Sequence, residues 1–524
     1  MQQALGVFSQ VLRLYHTLKY LKAIQIYYRL YYVVRSRFHR IRGFTYTQTI
    51  PATAYSLTLL PSINPEVSLQ GDRATFLNRT HHFKGTVDWS CAIHGKLWTY
   101  NITYFDFLHQ QNMTSEIGLD LIRNFIENSA YIKDGMEPFP ISLRGINWIK
   151  FLSYHHIEDQ QISDSLYAQY RILLDNIEYH LLGNHLLENG FSLLFGAYYF
   201  RDEQLFQKAQ EILTAELHEQ ILDDGAHFEL SPMYHQIMLF RLLDCINLLQ
   251  NNLQERHHSL LELLQQKASM MLGWLQAITY KDGSIPLFND SANHIAPTSR
   301  ELFGYTKRLN LHVKETILKE SGYRKFENDM YECIVDVGSI GPDYIPGHAH
   351  ADTFSFELHV NGKPFIVDTG LSTYETNKRR TRERATISHN TVELNGLNQS
   401  DVWGGFRVAH RAYVTTLQED DTYIKAVHNG YEKTLGALHE REFVFETNML
   451  KIIDTIISDR AQQAIARIHF HPSVNEAMIR KHILIEDEVY HINEYQYAPE
   501  FNVHVNAKVL EVAFTQKLEM SIIL

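Results

Sequence analysis

The segment GHAHADTFSFELHVNGKPFIVDTG, residues 347–370, decides how this chain is read. His348, His350 and Asp352 stand at every second position and run without a break into Phe354, Phe356, Leu358 and Val360. Alternate side chains of an extended chain share a face, so the spacing predicts a strand over 348–360 whose apolar end fixes that face as the buried one. The imidazoles and the carboxylate are then carried toward the interior or a cleft, where each unsatisfied polar group costs about 1–3 kcal/mol. A divalent cation satisfies such a cluster, and Asp368 of VDTG and His389 of TISHNTV add hard ligands downstream. Hydrogen bonding at a strand end is the competing explanation.

Asn361-Gly362 reads as a tight hairpin turn. An ideal hairpin would set Asp368 opposite residue 355 or 356, roughly 17–20 Å from His350, too far to share one ion. Either 347–352 curls back, with Pro346 and Gly347 as the bend, or Asp352 is the carboxylate ligand.

Outward from this segment, the runs CIVDVGSI, RVAHRAYVTTL and MLKIIDTIIS keep a period of two, which predicts mostly antiparallel sheet after Tyr331. Upstream, from about 100 to 325, GFSLLFGAYYF and MLFRLLDCINLLQ carry apolar residues at helical spacing between breaks at Gly, Pro and Asp, the pattern of stacked helix pairs. Residues 41–95 read as a connecting region with a few strands and a turn at Gln70-Gly71-Asp72. The expected organisation is α+β and multidomain: a basic helical leader and connecting region over 1–95, a helical domain over 96–328 and an antiparallel β domain over 329–524.

The leader is basic, aromatic and free of acids, lacks the form of a signal peptide and contains no uncharged span long enough to cross a membrane. It reads as an amphipathic segment packed on the body, with a membrane-surface or partner-docking helix as the alternative. A net charge of −12 over 524 residues, with no dominant basic block, argues against a nucleic-acid partner. Cys91, Cys245 and Cys333 make neither a disulfide framework nor a thiolate metal site.

LWTYNITYFDFL (97–108), EPFPISLRGINWIKFL (137–152), GNHLLENG (183–190), DGAHFELSPMYHQ (224–236), the 347–370 segment and RATISHNTVELNG (384–396) together resemble the heparinase II/III-like polysaccharide lyases, which include alginate lyase-like and glycosaminoglycan-cleaving enzymes. The resemblance implies an (α/α) toroid followed by a β-sandwich, with the active cleft between them. It implies β-elimination on a uronate-containing acidic polysaccharide. Asn184 or His185 would neutralise the substrate carboxylate, Tyr234 would be the Brønsted group and His348 its partner. His350, Asp368 and His389 would hold one structural Zn2+ or similar ion, with no organic cofactor. Periplasm or cell envelope is the compartment it favours.

The chemistry suits these residues. Removing the weakly acidic C5 proton of a uronate requires donors on its carboxylate. Glu188 lies three residues from His185 and four from Asn184, so it shares their helical surface and is expected to orient the imidazole or touch substrate. A tyrosine with a reference pKa of about 10 serves as a base only beside positive charge, and otherwise as an acid. Arg379, Arg380 and Arg382 of KRRTRERAT are expected to clamp a sugar carboxylate or sulfate. A glycoside hydrolase would want paired carboxylates instead. The remaining alternative is a non-catalytic, zinc-stabilised polysaccharide-binding or export-associated protein.

Overall fold

The structure, a computed structural model, describes residues 2–252, 254–485 and 489–524. Two helices, Gln2–Leu18 and Ala23–Arg42, lead into an irregular stretch that ends in a small sheet of Leu69–Gln70, Arg73–Phe76 and Arg79–His82. The helical domain follows. Its central helix, Gly183–Phe200, packs on Pro138–Tyr154, Glu203–Gln220 and Pro232–Asn252 and is buried almost from end to end, with the apolar run Phe191–Phe200 broken only by Ser192 and Gly196. Two cations buried in this core have partners: Lys150 Nζ lies 2.7 Å from Asp244, and Arg144 donates to Gln169, Thr103 O and Gly135 O.

The second half is antiparallel throughout its named strand pairs. A four-stranded sheet runs Tyr323–Glu327, Tyr331–Asp336, Phe356–Val360, Lys363–Ile366. A second runs Tyr490–Tyr497, Val505–Phe514, Ala464–His469, Val392–Leu394. A six-stranded sheet runs Val414–Asp420, Tyr423–His428, Ala437–Phe445, Met449–Ser458, Lys517–Ile523, Ile483–Ile485. One apolar core joins all three through Phe356, Phe443, Ile452, Ile468 and Leu510. The sheet region begins at Tyr323, ahead of the expected boundary at 329, because Tyr323–Glu327 pairs with Tyr331–Asp336 across the Asn328 turn.

The two halves meet on the first of these sheets. Strands Tyr331–Asp336 and Phe356–Val360 are buried on both faces, so Glu332, Glu357 and His359 have no water to point at. The segment after the last long helix of the toroid covers them: Lys281 N donates to Glu332, Leu287 N donates to Glu357 at 2.8 Å, and Tyr280 stacks on His359 at 3.7 Å, leaving His359 Nδ1 without a hydrogen-bond partner among the described residues. Burial pushes the Glu357 carboxyl up to about 8, against two backbone N–H donors. The same segment continues directly into Asp290.

The strand predicted over 348–360 is shorter, Phe356–Val360. Residues 347–355 form a curled loop in which Phe354 has φ +70°, and Ala349, Ala351 and Ser355 are as buried as His350 and Asp352. Period-two alternation therefore does not select the face there. The Asn361-Gly362 hairpin is present, with both residues left-handed (φ +50° and +71°).

Gly362 and Gly370 separate two costs of adding a Cβ. At Gly362 nothing lies within 4 Å, so Gly362→Ala should cost only backbone strain, about 1–2 kcal/mol. At Gly370 (φ +75°) the new Cβ would lie 2.1 Å from the Ala498 carbonyl oxygen, and Gly370→Ala should cost more than about 3 kcal/mol. Urea unfolding of the two variants checks the order.

Candidate active site

Two helix N-termini and one loop build the site. Helix Gly183–Phe200 starts through two positive-φ residues, Leu182 and Gly183 (φ +66° and +59°), and a Cβ at Gly183 would lie 2.6 Å from Glu229 Oε1. The missing side chain lets the helix start close over the buried Glu229 carboxylate, which accepts from Asn184 N at 2.9 Å and from Asn184 Nδ2 at 3.1 and 3.0 Å. An anion at a helix N-terminus is also favoured by the helix dipole. Helix Pro232–Asn252 is capped by Ser231, whose Oγ accepts from Tyr234 N at 3.2 Å and donates to Asp290 O at 2.8 Å. That cap places Tyr234 in the first turn, facing the junction.

The 347–352 loop is stitched to the 289–290 segment: His350 N donates to Asn289 Oδ1 at 2.9 Å and Asp290 N donates to His348 O at 3.0 Å. Asp290 then gathers three cations or donors on one carboxylate. His348 Nδ1 lies 2.9 Å from Oδ2, His350 Nε2 lies 2.8 Å from Oδ1, and Arg380 engages both oxygens through its two terminal nitrogens. Both Asp290 and Arg380 are 0% exposed. Burial alone would raise the Asp290 carboxyl; Arg380 and the two histidines hold it well below the usual carboxylate range.

On the open side, the Tyr234 ring lies over the His348 ring with centroids 3.9 Å apart, and Tyr374 donates its hydroxyl to Tyr234 Oη at 3.1 Å. With His348 Nδ1 held on Asp290, Nε2 faces Asn184 Nδ2 at 3.4 Å. Burial pushes the Tyr234 phenol up, with Arg380 and the Tyr374 hydroxyl opposing, so it is protonated at neutral pH. The structure thus brings Asn184, Tyr234 and His348 together. His185 is turned aside: Nδ1 meets Glu178 at 3.2 Å, the ring leans on Phe139, and the side chain keeps 35% exposure. Glu178 raises the His185 imidazole against the effect of burial.

The four residues expected to touch substrate lie elsewhere. Glu188 is fully buried and pairs with Arg241 at 3.4 Å instead of orienting His185, because residue 188 points to the domain core, where burial raises its carboxyl to about 7. Arg380 is fully buried on Asp290 and cannot clamp a sugar. Arg379 pairs with Glu383 at 2.6 Å, and Arg379 and Arg382 line a cavity of about 290 Å³ with Glu494 and Gln496; none of Asn184, Tyr234 or His348 belongs to that cavity.

The second histidine faces another group. Ligand atoms of His350, Asp352 and His389 lie within 4.8 Å of one another. Among the described residues each has a buried atom with no hydrogen-bond partner: His350 Nδ1, Asp352 Oδ2 and His389 Nε2. Asp290 holds the far nitrogen of His350, and Asp368 holds His389 Nδ1 at 2.7 Å. Histidines whose outer nitrogens donate to carboxylates present bare inner lone pairs, a donor set that fits a divalent ion. Of the two carboxylates considered, Asp352 is the one that lies with His350 and His389, and Asp368 stands behind His389. Burial lowers the His350 imidazole to about 4 and raises the Asp352 carboxyl to about 6.

Asp290 and Glu229 escaped the sequence reading. Asp290 sits in LFNDSAN, which has no distinguishing pattern; Glu229 lies inside the motif that contains Tyr234, where an acid beside a proline-initiated helix was the available signal.

Family comparisons agree with this architecture. A family described as heparinase II/III N-terminus matches residues 142–312, and heparinase II/III-like, C-terminal, matches residues 315–509. The chain belongs to the heparinase II/III-like family. A heparin-sulfate lyase of Bacteroides stercoris is 25% identical over 254 residues, 42% of this chain and 37% of that protein. One of Pedobacter heparinus is 25% identical over 246 residues, 41% of this chain and 36% of that protein. The matched region thus spans well under half of these curated relatives. Among solved structures, heparinase III shares the fold at a TM-score of 0.66 and 16% identity, over 84% of this chain and 80% of that one. Chondroitin AC lyase of Streptomyces coelicolor A3, in complex with chondroitin sulphate, does so at 0.51 and 10%, over 81% and 74%. The (α/α) toroid followed by an antiparallel β-sandwich is the shared architecture.

Asp290→Asn should destabilise the protein by about 3–5 kcal/mol, because Arg380 is left buried without its counter-charge. The depressed Asp290 pKa means that its contribution is complete above the unfolded value of about 4 and is lost as pH falls below it. Urea titrations at neutral and acidic pH should show the wild type losing its advantage over Asp290→Asn on the acid side.

Proposed function

We propose that this chain is a polysaccharide lyase that cuts a uronate-containing acidic glycan by β-elimination. The observation that carries the reading is the meeting of Tyr234, His348 and Asn184 at the junction of the two domains. Asn184 Nδ2 donates to Glu229 and faces His348 Nε2 at a long 3.4 Å, so a substrate carboxylate entering there would take over its second amide hydrogen and free Nε2, favouring the enolate-like charge that develops when C5 is deprotonated. His185, partly exposed next to it, is the second candidate donor. His348 Nε2 takes the C5 proton while Nδ1 stays on Asp290. The C4–O4 bond breaks, C4=C5 forms, and the Tyr234 phenol gives its proton to O4. Family membership and the heparin-sulfate lyase relatives support the same chemistry.

His350, Asp352 and His389 would hold a structural divalent ion, for which Zn2+ suits the nitrogen-rich set. When bound, such an ion adds its binding free energy to folding stability. Asp290 links this group to His348, so the loop that supplies the base is anchored at both histidines.

Tyr234→Phe should lower turnover by about 10²-fold or more with the fold intact, followed as new ultraviolet absorbance of the unsaturated product over a panel of uronate polysaccharides. Near-parental activity would remove Tyr234 from the mechanism. Asn184→Ala should lower kcat more than it raises KM, and a rise in KM alone would make Asn184 a binding residue only.

The two histidines separate in a second measurement. By elemental analysis and melting curves, His350→Ala should lose metal and thermal stability, whereas His348→Ala should keep the metal and lose turnover, with only the loss of stability expected from one hydrogen bond to Asp290. Asp368→Asn should retain the ion with roughly 10–100-fold weaker affinity. Purified protein without any divalent ion under non-chelating conditions would falsify the metal assignment.

A further inference from the structure

The leader helix Ala23–Arg42 is amphipathic in an inverted sense. Its inward face is polar: Gln25 donates to Leu181 O and Tyr344 O, Tyr32 donates its hydroxyl to Ile177 O, and Arg35 reaches Asp175 and Asn176. Gln25 is the only buried residue of the helix. Its outward face is apolar, with Ile26, Leu30, Val33, Val34 and Ile41 at helical spacing and exposures of 47, 63, 53, 67 and 83%. Beside them Tyr27 is 61% and Phe38 49% exposed. A folded protein rarely leaves a contiguous stripe of this kind to water.

Charge points to the occupant. Residues 10–44 contain Arg13, Lys19, Lys22, Arg29, Arg35, Arg37, Arg40 and Arg42 and no acid, in a chain whose net charge is −12. Arg13, Lys22 and Arg35 are paired with Asp401, Glu219 and Asp175; Arg37 and Arg40 make no ion pair among the described residues. A second copy of the same face would set these cations against one another. An anionic lipid surface accepts both features, with headgroup phosphates meeting the arginines and acyl chains meeting the stripe. The helix is neither apolar nor uniform enough to cross a bilayer. We propose that Ala23–Arg42 lies in the plane of an anionic membrane and docks the folded enzyme on it. The preceding helix continues the surface with Val11 at 60% and Tyr15 at 61% exposure.

The docking is rigid with respect to the site. Arg13 binds Asp401 and Thr17 accepts from Trp403 Nε1 on the β-sandwich side, while Tyr32 and Lys22 hold the toroid side, so the leader straps both domains. A membrane under the leader therefore sets the orientation of the whole molecule.

Flotation of the full chain with phosphatidylcholine vesicles containing about a third phosphatidylglycerol, against phosphatidylcholine alone, tests this. The wild type should float with the anionic vesicles and be released by high salt. The exposed pairs Leu30→Glu with Val34→Glu, and Arg37→Glu with Arg40→Glu, should each weaken binding by more than about tenfold while leaving the melting temperature unchanged. Wild type that remains unbound to both vesicle types overturns the proposal, as does equal binding to both. A dimer in sedimentation that Val34→Glu separates, without vesicle binding, overturns it in favour of self-association.

Discussion

One buried carboxylate organises the junction of this molecule. Asp290 comes from the toroid side, while His348, His350 and Arg380 come from the sandwich side, and all three bond to its two oxygens. A carboxylate and a guanidinium with no exposure are each expensive to bury, and only their mutual pairing makes the arrangement tolerable. That requirement pins the curled loop 347–352 against the segment 289–290, and with it the position of the imidazole beside Tyr234. The domains cannot slide without unpairing a buried charge.

Around that clamp, two helix N-termini aim polar groups at the same point. Gly183 permits a start so close to Glu229 that Asn184 is held by both its backbone and its side chain, and Ser231 caps the helix that presents Tyr234. First-turn residues of helices packed in a rigid core lose little freedom on binding, which is what a reaction dependent on proton-transfer distances requires. The same logic governs the proposed ion: Asp290 and Asp368 orient His350 and His389 from behind, leaving bare nitrogens turned toward Asp352. Asp290 is thus shared between His348 and the candidate metal group, which couples the stability of the loop to the placement of that imidazole beside Tyr234.

The leader extends this economy to the surface. It spends its polar side chains on backbone carbonyls and carboxylates of the body and leaves its apolar ones outside. The sequence reading of an amphipathic segment packed on the body agrees with this docking but names no inward face, because periodicity identifies a stripe without saying which side of it meets the protein.

By itself the sequence determined the order of the architecture and the chemical cast. The switch from helical to alternating periodicity, the Asn361-Gly362 hairpin and the separated motifs are local patterns, and local patterns survive translation into three dimensions. That Asn184, Tyr234 and His348 lie together, and His350 with His389, agrees with what the separated motifs and the family resemblance they carry implied. Tertiary structure alone decided which carboxylate faces which nitrogen. Asp352 and Asp368 are equivalent as letters, yet the loop curls so that one joins the open nitrogens and the other backs His389. Glu188 and Arg380 read as surface groups poised for a sugar, and both are consumed by buried partners, Arg241 and Asp290, that lie 53 and 90 residues away in the chain. Pairing of buried charges depends on distance in space, and no spacing along the sequence encodes it.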